Sequence, residues 1–69
     1  MVEVFKTNVQ DQQVAEMIVA ELLAFFPHYR INFDLEDCDK ILRVAGVGVH
    51  PPAVARVVQR KGFVCEVLD

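Results

Sequence analysis

Cysteine, glycine and proline are scarce in this sequence. Its 69 residues include two cysteines, three glycines and three prolines, whereas 54% of the residues are hydrophobic. Such a composition excludes a disordered or low-complexity chain. Cys38 and Cys65, without any CxxC pair, are too few for the disulfide framework of a small secreted domain. We therefore expect both to be thiols in a reducing compartment.

Basic residues are also few. Seven lysine and arginine residues stand against ten aspartate and glutamate residues, and the net charge is −3. A nucleic-acid-binding module needs a basic face, so we expect no nucleic-acid partner. No apolar run approaches the roughly 18 residues of a membrane span, and residues 1–6 show neither the basic start nor the cleavage site of a signal peptide. We therefore expect a cytoplasmic protein with no membrane partner.

The pattern of apolar residues predicts six elements in one domain, residues 1–69. Strands are predicted at residues 1–7, 29–35, 40–45 and 63–68, and helices at residues 14–26 and 53–61. Pro27 ends the first helix, and Gly62 follows the second. The order βαββαβ predicts a ferredoxin-like α/β (α+β) fold, a two-layer sandwich with an antiparallel sheet in the order 4-1-3-2 and both helices on one face.

The predicted first helix is apolar on nearly all sides. Residues 14–26 contain two polar side chains, Glu16 and Glu21, where a one-sided amphipathic helix would contain about six or seven. The spacing predicts a core face formed by Val14, Met17, Ile18, Leu22 and Phe25. It leaves an outer face with Val19, Leu23 and Phe26. We expect this outer face to contact a protein partner. The alternative is that these residues are part of a large hydrophobic core.

The open face of the sheet is a second candidate interaction surface. If Val2 and Val4 point toward the helices, Phe5 points away from them, because side chains alternate along a strand. Ile41 and Val64 are then expected on the same open face. Contiguous exposed apolar patches mark interaction sites. Both surfaces therefore predict a protein partner, and a second copy of the chain in a homodimer is one such partner.

Acidic residues are concentrated in the first part of the chain. Residues 1–39 contain eight acids and two bases, a net of −6, and residues 40–69 contain two acids and five bases, a net of +3. Four acids lie in residues 34–39, around Cys38, at the same predicted end of the fold as Asp11. The candidate metal ligands are therefore Asp11, Asp37, Cys38 and Asp39, and a solvated turn is the alternative.

No catalytic motif is legible in the sequence. There is no Ser-His-Asp set and no phosphate-binding loop, so we expect neither an enzyme nor a resident cofactor. His28 and His50 fall at the other predicted end of the fold. They lack the two further ligands that a structural zinc site needs, so we expect exposed loop histidines.

The element order and the segment Lys61-Gly62-Phe63 resemble the heavy-metal-associated (HMA) domains, which include small copper chaperones and modules of metal-transporting ATPases. Residues 5–9 and 32–43 are similar to short bacterial proteins labelled heavy-metal-associated-like. The resemblance implies the ferredoxin-like fold. It also implies a metal motif M-x-C-x-x-C in the first strand–helix loop, where this chain has Asn-Val-Gln-Asp-Gln-Gln at residues 8–13. This chain therefore has no residue that corresponds to a thiolate ligand of the family.

Together these features predict a small cytoplasmic binding or interaction module that is similar to an HMA domain without its thiolate ligands. The alternative hypothesis is divergent metal-ion or small-ligand binding at the acidic hairpin end around Cys38.

Overall fold

A computed structural model describes residues 1–68. Along the chain its elements are β1 (Val2–Thr7), α1 (Gln12–Phe25), β2 (Arg30–Asp34), β3 (Ile41–Ala45), α2 (Pro51–Arg60) and β4 (Cys65–Val67). Within the described residues these are two helices and one four-stranded antiparallel sheet. The mixed α/β class and the order of the elements are confirmed. The boundaries lie within two residues of those that periodicity predicts.

The sheet has the order β2-β3-β1-β4 from edge to edge. Numbered from the β4 edge, the same order reads 4-1-3-2. The central strand β1 pairs with β3, where Phe5 lies opposite Leu42, and with β4, where Phe5 lies opposite Val67. Strand β2 pairs only with β3 among the described residues, and there Phe33 lies opposite Leu42. This register aligns one of these apolar side chains from each of the four strands on the same face of the sheet.

Local signals explain where the helices begin and end. The Asp11 carboxylate caps α1 by accepting hydrogen bonds from the backbone N–H groups of Gln13, at 2.7 Å, and Val14, at 3.4 Å. Helix α1 ends at Phe25, two residues before Pro27. Helix α2 begins at Pro51, two residues earlier than predicted, because proline at the first positions of a helix loses no hydrogen bond.

The core lies between the sheet and both helices. Its largest fully buried side chains are Phe5, Ile18, Leu22, Leu42, Val9, Val44, Val54 and Val58. Phe5 is 0% exposed, so the prediction that Phe5 lies on the open face is wrong. Val2, at 56% exposure, lies on the opposite face of β1. Apolar residues point to both faces of β1. The face with Phe5 packs against the helices, because phenylalanine buries more apolar area than valine.

The buried face of α1 also differs from the predicted one. Ala15, Ile18 and Leu22 are buried, whereas Met17 is 66% exposed and Phe25 is 61% exposed. Placing Met17 and Phe25 in the core face was therefore wrong. Phe26, expected on the outer face, is half-buried and packs against the core cluster. Because α1 is apolar on most sides, spacing alone does not identify which stripe faces the sheet.

Candidate functional site

The acidic hairpin brings three of the four candidate metal ligands together. Residues 35–40 connect β2 to β3, and the donor atoms of Asp37, Cys38 and Asp39 lie within 4.8 Å of one another. Asp37 and Cys38 are exposed and Asp39 is half-buried. Asp11 is not part of this group, since its carboxylate caps α1. The arrangement offers one thiol and two carboxylates to a cation.

Hydrogen bonds within the hairpin account for its conformation. The Asp37 carboxylate accepts from the Asp39 backbone N–H at 2.8 Å, and the Asp34 carboxylate accepts from the Glu36 N–H at 3.2 Å. Lys40, whose φ is 47°, donates from its ammonium group to the Leu35 carbonyl at 2.9 Å. These contacts are typical of polar turns. The solvated turn, which the sequence left as the alternative, therefore explains the acidic residues without a cation.

The second cysteine is not part of this cluster. Cys65 is 2% exposed, faces the core beside Thr7 of β1, and is a free thiol like Cys38. Burial, and secondly the charge of Glu66, raise the pKa of the Cys65 thiol from 9.0 to about 12. A thiol with so high a pKa is neither a nucleophile nor a ready metal ligand at neutral pH.

The open face of the sheet carries charged residues among its apolar ones. Ile41 is 6% exposed, so the prediction that it is an exposed contact residue is wrong, whereas Val64 is 46% exposed. By the strand register, Val4 lies opposite Arg43, and Lys6 lies opposite Glu66. With Phe5 in the core and Arg43, Lys6 and Glu66 among its apolar residues, this face is a mixed surface of charged and apolar side chains.

An apolar groove between the helices, which the sequence did not indicate, is the more distinctive surface. Its volume is about 320 Å³. We call it the α1–α2 groove, and its lining residues are Phe25, Phe26, His50, Pro52, Ala53, Arg56, Val57 and Arg60. Of the three residues expected on the outer face of α1, Phe26 lines this groove. Leu23 is 36% exposed outside it, and Val19 lines a separate cleft against β2.

Tyr29 holds the two sides of the α1–α2 groove together. Its ring stacks on Phe26 with centroids 5.0 Å apart. Its hydroxyl donates to the Gly48 carbonyl at 3.0 Å and accepts from the His50 backbone N–H at 3.3 Å. Gly46 allows this arrangement, because a Cβ there would come within 2.8 Å of the Tyr29 ring. The end of α1 and the start of α2 are thus joined through one side chain.

The lining of the groove contains two arginines and no acidic residue among the described residues. Arg56 and Arg60 lie one helical turn apart on α2 and are exposed. Of the lining residues, all within the described part of the chain, none is acidic. Glu21 of α1 lies outside the lining and pairs with Lys61 at 2.6 Å. The groove therefore combines an apolar floor with two guanidinium groups that no carboxylate of the lining neutralises.

Two features of the sequence are consistent with this groove. Phe25 and Phe26 are adjacent, and neighbours on a helix lie about 100° apart, so both cannot occupy the centre of one core face. Arg56 and Arg60 are four residues apart and therefore share a face of α2. That these two pairs meet depends on the packing of α1 against α2, which spacing within either helix does not reveal.

Comparisons with protein-family models, with curated proteins and with solved structures give no match to this chain. None of the helices in residues 1–68 has the length and apolar character needed to cross a membrane.

Proposed function

We propose that this protein is a small interaction module that binds a protein partner through the α1–α2 groove. The observation that carries the proposal is the exposure of Phe25. This aromatic side chain lies at the end of α1 and is 61% exposed, beside the half-buried Phe26 and Val57. Burying a phenylalanine contributes about 1.5–3 kcal/mol. Large aromatic side chains of this kind are the usual anchors of protein interfaces.

We further propose that the domain, residues 1–69, has a ferredoxin-like fold and is an HMA-like domain that lacks thiolate ligands. The element order, the antiparallel sheet and the segment Lys61-Gly62-Phe63 after α2 support this proposal. Residues 8–13, which contain neither methionine nor cysteine, support the loss of the metal motif. The two free thiols are consistent with a cytoplasmic protein. In this proposal the module acts by association and not by catalysis.

A crosslinking experiment tests the binding surface even when the partner is an unidentified protein. The photoreactive substitution Phe25→benzoylphenylalanine places a crosslinker in the groove. The matched control is Met17→benzoylphenylalanine, because Met17 is 66% exposed on the same helix but does not line the groove. The two positions are eight residues, or about 12 Å, apart along α1.

We expect irradiation of cells that produce these variants to give a specific protein adduct at position 25 and not at position 17. An adduct of twice the chain mass identifies a second copy as the partner, and any other mass identifies a different protein. Equal crosslinking at both positions, or none at position 25, contradicts the proposal.

Metal binding at the acidic hairpin is the second candidate function, favoured by the proximity of Asp37, Cys38 and Asp39. Thiolate suits soft cations such as Cu(I) and Zn(II), and carboxylates suit harder cations. A titration with Zn(II), followed by native mass spectrometry, tests it. A stoichiometric adduct that Cys38→Ser abolishes supports this function, and a chain mass free of metal excludes it.

A further inference from the structure

We propose that the α1–α2 groove binds an extended segment of a different protein in which acidic and apolar side chains alternate. The inference rests on the proposed function, since it concerns the same surface, and adds the chemistry of the partner. It follows from the two unlike walls of the groove, from their spacing and from their charge.

The two walls of the groove differ in character. The carboxyl end of α1 contributes Phe25 and the capping residue Phe26, and α2 contributes the guanidinium groups of Arg56 and Arg60 together with the apolar Val57. A ligand seated between them meets aromatic surface on one side and positive charge on the other. A purely apolar ligand would cover the arginines without pairing them, and a purely acidic ligand would leave Phe25 exposed. The complementary ligand has both kinds of group on opposite sides.

The spacing along α2 matches an extended chain. Arg56 and Arg60 are four residues apart, which corresponds to a rise of about 6 Å along a helix. In an extended segment, alternate residues point to the same side and are about 6.6 Å apart. Two acidic side chains two residues apart can therefore meet the two arginines. The apolar side chain between them then points to the opposite wall, where Phe25 and Phe26 lie.

Among residues 1–68, no carboxylate forms an ion pair with Arg56 or Arg60. Glu21, the acidic residue of α1 nearest to Phe25, is engaged by Lys61 at 2.6 Å. The acidic hairpin follows the carboxyl end of β2, whereas the groove adjoins the loop that precedes β2. Arg56 and Arg60 are both basic and line the groove without an acidic neighbour among the described residues of the lining, so the local charge favours an acidic segment.

Charge also argues against a second copy of the chain as the occupant. A two-fold symmetric dimer brings the same surface of both copies together. Through the α1–α2 groove such a dimer would bring four guanidinium groups, Arg56 and Arg60 of each copy, into one interface. Like charges at an interface disfavour association. The occupant is therefore a different protein, and a self-adduct at position 25 in the crosslinking experiment contradicts this inference.

A blocked peptide with phenylalanine between two aspartates, flanked by glycines, is the probe for this inference. Its controls replace both aspartates with asparagine, both aspartates with lysine, or the phenylalanine with alanine. Binding to the intact protein is measured by NMR titration, which also reports the contacted residues. The protein variants are Arg56→Gln and Arg60→Gln, and the matched control is Arg43→Gln, an exposed arginine on the open face of the sheet. Melting curves verify that each variant is folded.

We expect the aspartate peptide to shift the resonances of Phe25, Phe26 and Val57. Each of Arg56→Gln and Arg60→Gln should weaken binding about two- to fivefold, the range for exposed ion pairs, and Arg43→Gln should have no effect. Added salt should weaken binding further. The lysine peptide should not bind, and the asparagine and alanine peptides should bind more weakly than the aspartate peptide.

The outcomes separate this inference from the proposed function. Equal affinity for the aspartate and asparagine peptides at the groove overturns the acidic specificity while leaving the groove as a binding surface. Shifts confined to other residues, or no binding of the aspartate peptide, also overturn the inference. A crosslink at position 25 to another protein would still support the proposed function in those cases.

Discussion

The ring of Tyr29 stacks on that of Phe26, with their centroids 5.0 Å apart and their planes inclined by 13°. The Tyr29 hydroxyl also hydrogen-bonds to backbone groups of Gly48 and His50. One residue between α1 and β2 therefore fixes the last turn of α1 against the start of α2. The α1–α2 groove owes its shape to this connection, because its two walls come from helices that are distant in sequence.

Tyr29→Phe should separate the stacking from the hydrogen bonds. The variant keeps the ring and loses both bonds of the hydroxyl, which should lower the free energy of unfolding by about 0.5–1.5 kcal/mol. Tyr29→Leu, which also loses the stack, should be less stable than Tyr29→Phe. Denaturant unfolding measures both effects. If Tyr29→Phe is as stable as the unmodified protein, the hydroxyl does not hold the groove together.

The loop between β1 and α1 predicts weak copper binding. Residues 8–13 contain no thiol, and Cys65 is buried, so Cys38 is the exposed thiol available to a soft metal. We expect the protein to lose Cu(I) completely to a strong Cu(I) chelator. One equivalent of copper retained in that competition would contradict the absence of a chaperone-like site.

The acidic hairpin should tolerate substitution. Asp37→Asn keeps the side-chain oxygen that accepts from the Asp39 N–H, and Cys38 is exposed, so Cys38→Ser removes no buried contact. Each change should alter the free energy of unfolding by less than about 0.5 kcal/mol. Thermal melting with and without Zn(II) is the measurement. A large loss of stability, or a shift that depends on the metal, would make the hairpin a structural or ligand site.

Cys65 should make stability depend on alkaline pH. Its pKa is raised from 9.0 to about 12 in the folded protein, so between these values the unfolded chain releases a proton that the folded chain retains. Stability is then full below pH 9 and is lost as the pH rises toward 12, by up to about 1.4 kcal/mol per pH unit. Unfolding from pH 8 to 10.5 should show a steeper loss for the unmodified protein than for Cys65→Ala. Parallel pH profiles would contradict this assignment.

Sequence periodicity predicted the element order and most boundaries because the responsible signals are local. Pro27 after α1 and Gly62 after α2 each act within a few residues. The burial of Phe5 and the exposure of Phe25 were not predictable in the same way. Both positions lie in segments with apolar residues on two sides, so the core face depends on tertiary packing and not on spacing.

The candidate site was also predictable only where its residues are close together in the sequence. The proximity of Asp37, Cys38 and Asp39 follows from their adjacency in one turn and was predicted. The α1–α2 groove was not, because its aromatic and basic residues lie about 30 positions apart in the chain. The hydrogen bonds of Tyr29, which joins its walls, involve backbone groups that no side-chain pattern indicates.

The central claim is that Phe25 serves binding and not the core. The most direct test is to measure the stability and the peptide binding of Phe25→Ala. The control is Leu22→Ala, which truncates a fully buried residue on the same helix. We predict that Phe25→Ala lowers the free energy of unfolding by less than about 1 kcal/mol but abolishes binding of the aspartate peptide. Leu22→Ala should cost about 2–5 kcal/mol. A Phe25→Ala variant as unstable as Leu22→Ala, or one that binds the peptide with undiminished affinity, would contradict the account.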